Sequence, residues 1–478
     1  MPEGITRARL ELCADRPCTR MVRMLEVTGD AIRPEERLAP GVVFWRVRGL
    51  RPGGSVAWTS ATWEFEVGHR DAPNDISYGT IHDVNGDGYS DVVAGNHNHD
   101  RIEVYRGGAM RLEPPEDLVP TREQGGFALS PTLGDFNGDG LADLVGWGSG
   151  GRLEDLDPLY SFRGRPGASM EALPLLERPD TRGLCNAGDI DGDGYLDIIR
   201  CGEASSLEWG GGFSARRLPT RLTPGCEQCA GADLNGDGYA DLLLSVGRIL
   251  GLVPGGPDGP VLSSRIELVL PTTTNYEKAL SAGGDLNGDG LPDFCVAQLR
   301  YVECYAGVPG AYPFRPTLRF ETPDSLEFGY TTARMSMQGD YNGDGRCDLA
   351  FGHNTASVRP AGPFGFIYVF NGHPVHLIDR MSRVDLFAVG PFEEGVNYSN
   401  YPIGSDVSAG GDVNGDGFDD LIVGAGSAGP YEIAEFRDNG AVDVFLGGSS
   451  GLRRDLRWRV DGRPGGTHWG HGLGTRVE

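Results

Sequence analysis

The sequence predicts an all-β protein, and three observations support this fold class. Glycine and proline are abundant, with 75 and 32 of the 478 residues, which suits many short strands joined by tight turns. One nine-residue pattern recurs seven times along the chain. A short apolar run follows each copy and soon reaches glycine or a polar residue, which is typical of a buried strand and not of a helix.

The repeated pattern is Asp-x-(Asn/Asp)-Gly-Asp-Gly-x-x-Asp. Successive copies start 52, 54, 44, 52, 55 and 72 residues apart, and such intervals can hold one four-stranded blade of a β-propeller with its loops. The copies are called loops one to seven below, and they begin at Asp83, Asp135, Asp189, Asp233, Asp285, Asp340 and Asp412.

The side chains at positions 1, 3, 5 and 9 of every loop are oxygen donors. Calcium is a hard cation that takes about 6–8 oxygen ligands, often including a backbone carbonyl. We therefore predict one calcium ion in each loop, bound by these four side chains and by the carbonyl of position 7. The assignment of that carbonyl rests on analogy with EF-hand loops.

The predicted ligands follow the aspartates at position 1. At position 3 they are Asn85, Asn137, Asp191, Asn235, Asn287, Asn342 and Asn414. At position 5 they are Asp87, Asp139, Asp193, Asp237, Asp289, Asp344 and Asp416. At position 7 they are Tyr89, Leu141, Tyr195, Tyr239, Leu291, Arg346 and Phe418. At position 9 they are Asp91, Asp143, Asp197, Asp241, Asp293, Asp348 and Asp420.

The remaining positions also have expected roles. Glycine at positions 4 and 6 allows a tight wrap, because glycine tolerates positive φ. Position 2 is apolar in every copy and is expected to face the core, and the mostly large, apolar residue at position 7 is expected to cover the site. Loop six is the least regular copy, because Arg346 and Cys347 occupy its positions 7 and 8.

Two other interpretations of the loops explain less. An EF-hand needs glutamate at position 12, and no copy has a metal ligand there, so the aspartate at position 9 must close the cage. Plain Asn-Gly and Asp-Gly turns would account for the glycines, the asparagine and one aspartate. They would not account for three or four carboxylates within nine residues, which repel one another without a cation.

The net charge of −26 argues against nucleic acid as a partner, because phosphate binding needs clustered Lys and Arg. The sequence has no run of about 18 apolar residues, so neither a transmembrane helix nor membrane insertion is predicted. The first residues lack the basic-then-apolar order of a signal peptide. The nine cysteines and the predicted calcium loops nevertheless favour an extracellular or cell-surface location.

Residues 402–448 resemble the FG-GAP repeat of integrin α subunits and of bacterial repeat proteins. Ile403 and Gly404 stand for the Phe-Gly of that repeat, Gly424, Ala425 and Gly426 stand for Gly-Ala-Pro, and Ala441–Phe445 matches the last strand. The resemblance covers about residues 77–462. It implies a seven-bladed ring with calcium on the lower rim and ligand binding on the opposite face. All seven repeats carry the loop, whereas only some integrin blades do, which is closer to the bacterial relatives.

Three segments are predicted. Residues 1–68 resemble part of a fibronectin type III-like domain, so we expect a small, incomplete β-sandwich there. Residues 69–76 form the linker, and residues 77–478 form the seven-bladed propeller. Within the last segment, residues 464–478 resemble the start of another repeat, which is either an extra strand that helps to close the ring or a truncated eighth repeat.

Eight of the nine cysteines are expected to form local disulfides. Cys185 and Cys201 lie four residues before and four residues after loop three, which would place them opposite one another on paired strands. A redox or zinc motif is the alternative for the Cys-x-x-Cys sequence of Cys226 and Cys229. The expected pairs are Cys185–Cys201, Cys295–Cys304, Cys226–Cys229 and Cys13–Cys18, which leaves Cys347 single.

The resemblance favours a binding or adhesion module with a protein or glycan ligand on one propeller face, and the segment 427–439 is a candidate contact. No catalytic motif is recognised, so an enzyme is not expected. The histidine pairs His97/His99 and His373/His376 are interpreted as parts of polar loops. The alternatives are a lectin, a structural stalk, or the propeller domain of a carbohydrate-active enzyme such as a lyase or dehydratase.

Overall fold

The fold is all-β in the part of the chain that the computed structural model describes. Helical conformation in the described residues is limited to 3-10 geometry at His99 and in the turn Leu262–Ser264, and none of these residues forms a helix long and apolar enough to cross a membrane. The described residues are 7–27, 32, 38–39, 41–67, 82–96, 99, 101–119, 131–147, 157–173, 176–178, 183–202, 205–211, 220–222, 225–270, 279–298, 301–313, 315–321, 333–354, 365–380, 382–387, 406–426, 440–453, 457–462 and 473–477.

The N-terminal segment forms one antiparallel sheet of five strands. Its strands are β1 (Arg7–Cys13), β2 (Met21–Val27), β3 (Gly41–Leu50), β4 (Val56–Thr59) and β5 (Trp63–Val67). The order is β2-β1-β3-β4, and β5 pairs with the other end of β3. The rings of Trp45 and Trp63 lie 4.8 Å apart across the β3–β5 pair. The fibronectin-like interpretation of this segment stays a prediction, and the predicted linker lies outside the described residues.

Seven further antiparallel sheets of four or five strands, and one two-stranded hairpin, occur in the described residues. The first contains β6 (Val92–Asn96), β7 (Arg101–Tyr105) and β8 (Glu116–Leu118). The second contains β9 (Thr132–Gly134), β10 (Asp143–Trp147), β11 (Asp157–Arg163), β12 (Glu171–Ala172) and β13 (Leu176–Arg178). The third contains β14 (Gly183–Gly188), β15 (Asp197–Cys201), β16 (Ser206–Glu208) and β17 (Thr220–Arg221). The fourth contains β18 (Gln228–Ala232), β19 (Asp241–Val246), β20 (Ile249–Val253) and β21 (Ile266–Val269). The fifth contains β22 (Ala279–Ala282), β23 (Phe294–Ala297), β24 (Tyr301–Tyr305) and β25 (Leu318–Glu321).

The last two sheets have the same plan. The sixth contains β26 (Ala333–Gly339), β27 (Asp348–Asn354), β28 (Gly365–Phe370) and β31 (Val384–Phe387), with a hairpin of β29 (Gly372–His373) and β30 (Leu377–Ile378) between the last two. The seventh contains β32 (Asp406–Gly411), β33 (Asp420–Ala425), β34 (Ala441–Phe445) and β35 (Arg457–Asp461). Each of the seven sheets has one aspartate loop directly before its second strand.

The strand that follows each loop is buried, which confirms the prediction made from the apolar runs. All five residues of β6, β10 and β15 are buried, and so are all six of β33. Strands covered on both faces need continuous apolar sequence and not an alternating pattern. The apolar residue at position 2 of every loop is also fully buried, as expected: Val84, Phe136, Ile190, Leu234, Leu286, Tyr341 and Val413 are each 0% exposed.

The first sheet takes a strand from the far end of the chain. The strand β36 (Leu473–Val477) pairs antiparallel with β6, so that the order is β36-β6-β7-β8. Strand β36 therefore holds in this sheet the place that the strand before the loop holds in the other six. Both interpretations of residues 464–478, an extra strand that helps to close the ring and a truncated eighth repeat, stay predictions.

The apolar core lies between successive sheets. Val93 and Val104 of the first sheet share a buried cluster with Leu144 and Phe162 of the second, and five further clusters join the second sheet to the third and so on to the seventh. One more cluster joins the seventh sheet to the first through Ile422, Val442, Val92 and Ala94. The series of buried interfaces thus begins and ends on the same sheet.

Two of the expected disulfide pairings are wrong. Cys13–Cys18 and Cys295–Cys304 form as predicted, and Cys347 is a buried free thiol. Cys185, however, is bonded to Cys229, and Cys201 is bonded to Cys226. All six cysteines around loops three to five form disulfides, as predicted, but four of them have partners other than the predicted ones.

Strand register explains this difference. The β14–β15 register, which includes a bulge between Asn186 and Gly188, places Cys185 opposite Ile199 and Cys201 opposite Gly183. Strand β18 packs so closely beside β14 that a Cβ on Gly231 would lie 1.9 Å from the carbonyl oxygen of Ala187. The two disulfides therefore connect the third repeat to the strand that opens the fourth.

We expect disulfide mapping of the unreduced protein to recover Cys185 linked to Cys229 and Cys201 linked to Cys226. The physical reason is that this register keeps the two cysteines of the third repeat apart and turns them towards the next sheet. Proteolysis followed by mass spectrometry would check this, with the Cys295–Cys304 peptide as an internal control. Recovery of a Cys226–Cys229 or Cys185–Cys201 peptide would contradict the structure.

Candidate metal sites

The aspartate at position 1 organises the backbone of each loop. In loop one, Oδ1 of Asp83 accepts the N–H of Gly86 at 2.6 Å, and Oδ2 accepts the N–H of Gly88 at 2.8 Å. The second of these bonds, from the position 6 glycine, occurs in all seven loops at 2.7–2.8 Å. These glycines adopt positive φ, for example 75° at Gly86 and 89° at Gly88, which other residues adopt at a cost. These hydrogen bonds and the positive φ of the glycines together fix the path of the backbone through each loop.

The aspartate at position 9 ties each loop to the third strand of its sheet. These seven side chains are buried, and Oδ1 of each accepts the N–H of a glycine just beyond that strand at 2.8–3.0 Å. The glycines are Gly107, Gly164, Gly210, Gly255, Gly307, Gly372 and Gly447. Sequence reasoning missed these residues. The signal that could have found them is a glycine that follows the third apolar strand of every repeat by one or two residues.

The turn after the third strand of each sheet is hydrogen-bonded to the loop of the preceding sheet. The residue after each of these glycines donates its N–H to the position 2 carbonyl of the preceding loop, at 2.8–3.1 Å in all seven cases. Arg165 thus donates to Val84, and Gly448 donates to Tyr341. Gly108, in the first sheet, donates to Val413 of loop seven at 2.9 Å. The seven loops therefore form a closed series of contacts.

The side chain at position 7 lies over the preceding loop. A Cβ on Gly138 of loop two would lie 2.9 Å from the ring of Tyr195 of loop three, and one on Gly343 of loop six would lie 2.7 Å from the ring of Phe418. The same relation holds for Gly192, Gly236 and Gly288. The side chain at position 7 is predicted to cover the metal site, and the structure places it over position 4 of the preceding loop. Close packing as well as positive φ explains glycine there.

Positions 3 and 5 are also held together. In loop one, Nδ2 of Asn85 donates to Asp87 Oδ2 at 2.9 Å, and loops four to seven repeat this bond at 3.0–3.2 Å. In loop three, one oxygen from each of Asp189, Asp191 and Asp193 lies within 4.8 Å of the others. The structure therefore brings together the predicted ligands of positions 1, 3 and 5, whereas the role of the position 7 carbonyl stays a prediction.

Because these carboxylates are buried, their ionised form is unfavourable unless a positive charge lies nearby. Burial is the main cause that raises the pKa of Asp143 to about 8, and the carboxylates of Asp135 and Asp139 raise this pKa further. Burial likewise raises the pKa of Asp348 to about 8, and that of Asp241 and Asp293 to about 7. A divalent cation would offset this penalty. Its preference for oxygen ligands fits the donors present.

Two segments of the chain match models of one repeat family. Residues 83–146 match the FG-GAP-like repeat, and residues 403–445 match the FG-GAP repeat. The chain therefore contains FG-GAP-type repeats. The matched segments include loops one, two and seven, whereas Ile403 and Gly404, at the start of the second segment, lie outside the described residues.

Relatives of this FG-GAP protein include two integrin α subunits from Drosophila melanogaster. Integrin alpha-PS5 is 33% identical over 155 residues, which cover 30% of this chain and 14% of the integrin. Integrin alpha-PS3 is 31% identical over 155 residues, again 30% of this chain and 13% of the integrin. The chain thus matches about a seventh of the length of these curated relatives.

Two solved structures share a distant likeness with the FG-GAP protein. An arginine-to-alanine triple mutant of AofleA from Arthrobotrys oligospora has a TM-score of 0.37 at 10% identity, over 65% of this chain and 97% of its own. A neuraminidase-like protein of the strain A/flat-faced bat/Peru has a TM-score of 0.29 at 13% identity, over 73% and 91% of the two chains. These scores are too low to support a statement about ligand or function.

Loop six differs from the other FG-GAP loops in its electrostatics. Nη2 of Arg346 lies 2.6 Å from Oδ2 of Asp344, the predicted ligand at position 5. A guanidinium so close to a carboxylate competes with a metal ion for its negative charge. Arg346, which makes loop six irregular in sequence, therefore reduces the negative charge that is available to a cation in this loop.

The side chains of His373 and His376 form a pair in the hairpin of β29 and β30. His373 and His376 stack with their ring centroids 5.0 Å apart, in a cleft of about 320 Å³ that Leu318 and Arg380 also line. Nδ1 of His373 accepts the backbone N–H groups of Val375 and His376, which agrees with the interpretation as part of a polar loop. His97 lies outside the described residues, so its pairing with His99 stays a prediction.

Replacing Gly447 with alanine should destabilise the protein by about 1–3 kcal/mol, a typical cost of overpacking. The added Cβ would lie 2.2 Å from the carbonyl oxygen of Asp419, which is backbone and cannot move aside easily. Gly448→Ala is the matched control, because nothing lies within 4 Å of a Cβ there. Urea unfolding of the two variants would check this, and equal stabilities would contradict the proposed close approach.

Without calcium, the protein should be more stable at pH 6 than at pH 8. The folded-state pKa of Asp143 and Asp348 is about 8, whereas the unfolded value is near 3.9. The folded state therefore holds more protons in this window, and its stability falls as the pH rises. Thermal unfolding in excess chelator would check the direction.

The isosteric variant Asp143→Asn is the control for this pH dependence. It removes the titrating group but keeps the shape, so the difference between pH 6 and pH 8 should shrink. In saturating calcium the order of the two pH values should reverse, because ion binding requires the ionised form. A melting temperature that rises from pH 6 to pH 8 in chelator would count against the buried-carboxylate argument.

Proposed function

We propose that this chain is a calcium-loaded, seven-bladed β-propeller that binds a protein or glycan ligand outside the cell or at the cell surface and performs no catalysis. The observation that carries the proposal is the closed series of seven contacts, in which the turn after the third strand of each sheet donates to the preceding loop and the turn of the first sheet donates to loop seven. A ring of similar units with one ion site per unit accounts for this series most simply.

The sheet arrangement supports the propeller. Seven antiparallel sheets follow one another, each with its apolar faces against its two neighbours. In a β-propeller, four-stranded blades surround a central channel, and each blade contacts the next. The pairing of β36 with β6 supports closure, because it completes the first blade with a strand from the end of the last repeat.

The donor chemistry supports calcium. The side chains at positions 1, 3, 5 and 9 would hold the ion in each loop, and they are carboxylates or amides throughout. Calcium would neutralise carboxylates that otherwise repel one another in a buried setting. The backbone N–H groups that bind the position 1 aspartates keep those side chains in place, so little reorganisation accompanies binding.

The assignment to an extracellular binding role rests on two supports. The two relatives described above are integrin subunits by name, although this chain matches only about a seventh of their length. Four disulfides suit an oxidising compartment. The absence of catalysis is proposed because the histidine cleft contains polar-loop contacts and the sequence shows no catalytic motif.

Calcium should raise the melting temperature strongly, and native mass spectrometry should count about seven bound ions. At a calcium concentration of 100 times the dissociation constant, each site would add about 2.7 kcal/mol to the free energy of unfolding. Asp285→Asn should lower the count by one and remove part of the calcium-dependent stabilisation. Asp461→Asn is the control, because that side chain is 72% exposed and belongs to no loop.

The proposal fails if the protein binds no calcium and its melting temperature is the same in calcium and in chelator. The ligand-binding part has a separate test, in which the calcium-loaded protein is screened against glycans and extracellular proteins. We expect binding that chelator abolishes and that Asp461→Asn leaves intact. Turnover of a polysaccharide by the purified chain would overturn the non-catalytic assignment.

A further inference from the structure

One arginine of the N-terminal sheet reaches into the loop region. Arg16 lies in the turn between β1 and β2, and only 9% of it is exposed. Its Nε donates to the carbonyl oxygen of Gly192 in loop three at 3.0 Å, and its Nη1 donates to that of Gly238 in loop four. Its Nη2 lies 3.2 Å from Oδ2 of Asp189, the position 1 aspartate of loop three.

The guanidinium is also enclosed by aromatic rings and by its own sheet. The ring centroid of Tyr239, from loop four, lies 4.8 Å from Cζ of Arg16, and that of Phe44, from β3, lies 5.2 Å away. Within its own sheet, Arg16 donates to the carbonyl of Thr62 at 2.9 Å and to Glu64 at 2.6 Å. Cation–π contacts and charge-assisted bonds of this kind fix both the position and the orientation of an arginine.

The glycines of loops three and four make room for this side chain. A Cβ on Gly192 would lie 2.2 Å from Nε of Arg16, and a Cβ on Gly238 would lie 2.2 Å from the carbonyl oxygen of Thr62. The site that accepts the guanidinium therefore consists of two loop carbonyls, the Asp189 carboxylate and the face of Tyr239. It is called the guanidinium site below.

Loop three also has the most carboxylates at the predicted ligand positions. It has aspartate at position 3, namely Asp191, where the other six loops have asparagine, so four of its predicted ligands are carboxylates, against three in each of the others. One arginine would offset this additional ligand charge of loop three. The extra aspartate and the inserted arginine occur at the same loop, which is what charge compensation predicts.

We propose that loops three and four form a guanidinium site, filled by Arg16 of the same chain, and that calcium in loop three and Arg16 in this site oppose each other. Both cations draw on the carboxylate of Asp189, so each lowers the affinity of the other, and by linkage the two effects are equal. The N-terminal sheet is then docked by a contact whose strength depends on calcium. This inference rests on the proposed calcium binding.

The test follows the loops individually by hydrogen-exchange mass spectrometry during a calcium titration. In Arg16→Ala, the midpoint for peptides covering 189–197 should move to a lower calcium concentration by about tenfold, within the usual range of coupling between sites. The midpoint for peptides covering 285–293 should not move. Adding Asp191→Asn to Arg16→Ala should bring the loop three midpoint back towards that of the unaltered protein.

Chemical rescue tests the guanidinium site directly. Ethylguanidinium at millimolar concentration should restore the higher midpoint of loop three in Arg16→Ala, whereas ethylammonium, which lacks the planar fork, should not. Should Arg16→Ala fail to fold, Asp191→Asn in the otherwise unaltered protein should raise the loop three midpoint and leave loop five unchanged. That variant keeps Arg16 and its contacts in place.

The outcomes separate this inference from the function on which it rests. If loop five responds to calcium and the loop three midpoint is the same with and without Arg16, the coupling is wrong while the calcium propeller stands. If no loop responds to calcium, the proposed function and the coupling fail together. If ethylammonium rescues as well as ethylguanidinium, the site is a general cation site and the guanidinium assignment is overturned.

Discussion

The buried aspartate at position 9 of each loop is the contact on which the rest of the structure depends. It starts the second strand of its sheet and accepts the N–H of the glycine that follows the third strand. That bond fixes where the third strand ends, and the next residue then reaches the carbonyl of the preceding loop. One side chain per repeat therefore sets the shape of its own sheet and the spacing to its neighbour.

This arrangement has an electrostatic consequence. The carboxylates that organise the loops are buried against one another, and burial raises the pKa of several of them. The apolar clusters between the sheets can form without ions, because they involve Val, Leu, Ile and Phe side chains. The loops, by contrast, hold concentrated negative charge that only cations or protons can neutralise. Stability is thus divided between an ion-independent part between the sheets and an ion-dependent part at one edge of them.

The local features could be predicted from the sequence, and the features that join one repeat to the next could not. The loop pattern, the buried strand after it and the burial of position 2 follow from residue type and spacing within nine to fifteen residues. The disulfide partners of Cys185 and Cys201 depend on strand register and on packing against the next sheet. The place of Tyr195 over Gly138, and of Arg16 against Gly192, depends on contacts between distant segments. No periodicity along the chain encodes such contacts.

The pairing of β36 with β6 has a consequence for synthesis. The ribosome makes β6 before the other six sheets, but the strand that covers the free edge of β6 appears only after all of them. Until Leu473–Val477 arrives, β6 presents unpaired backbone groups, and an open sheet edge invites pairing with another nascent chain. The arrival of β36 removes this hazard, and slow translation between β6 and β36 would prolong it.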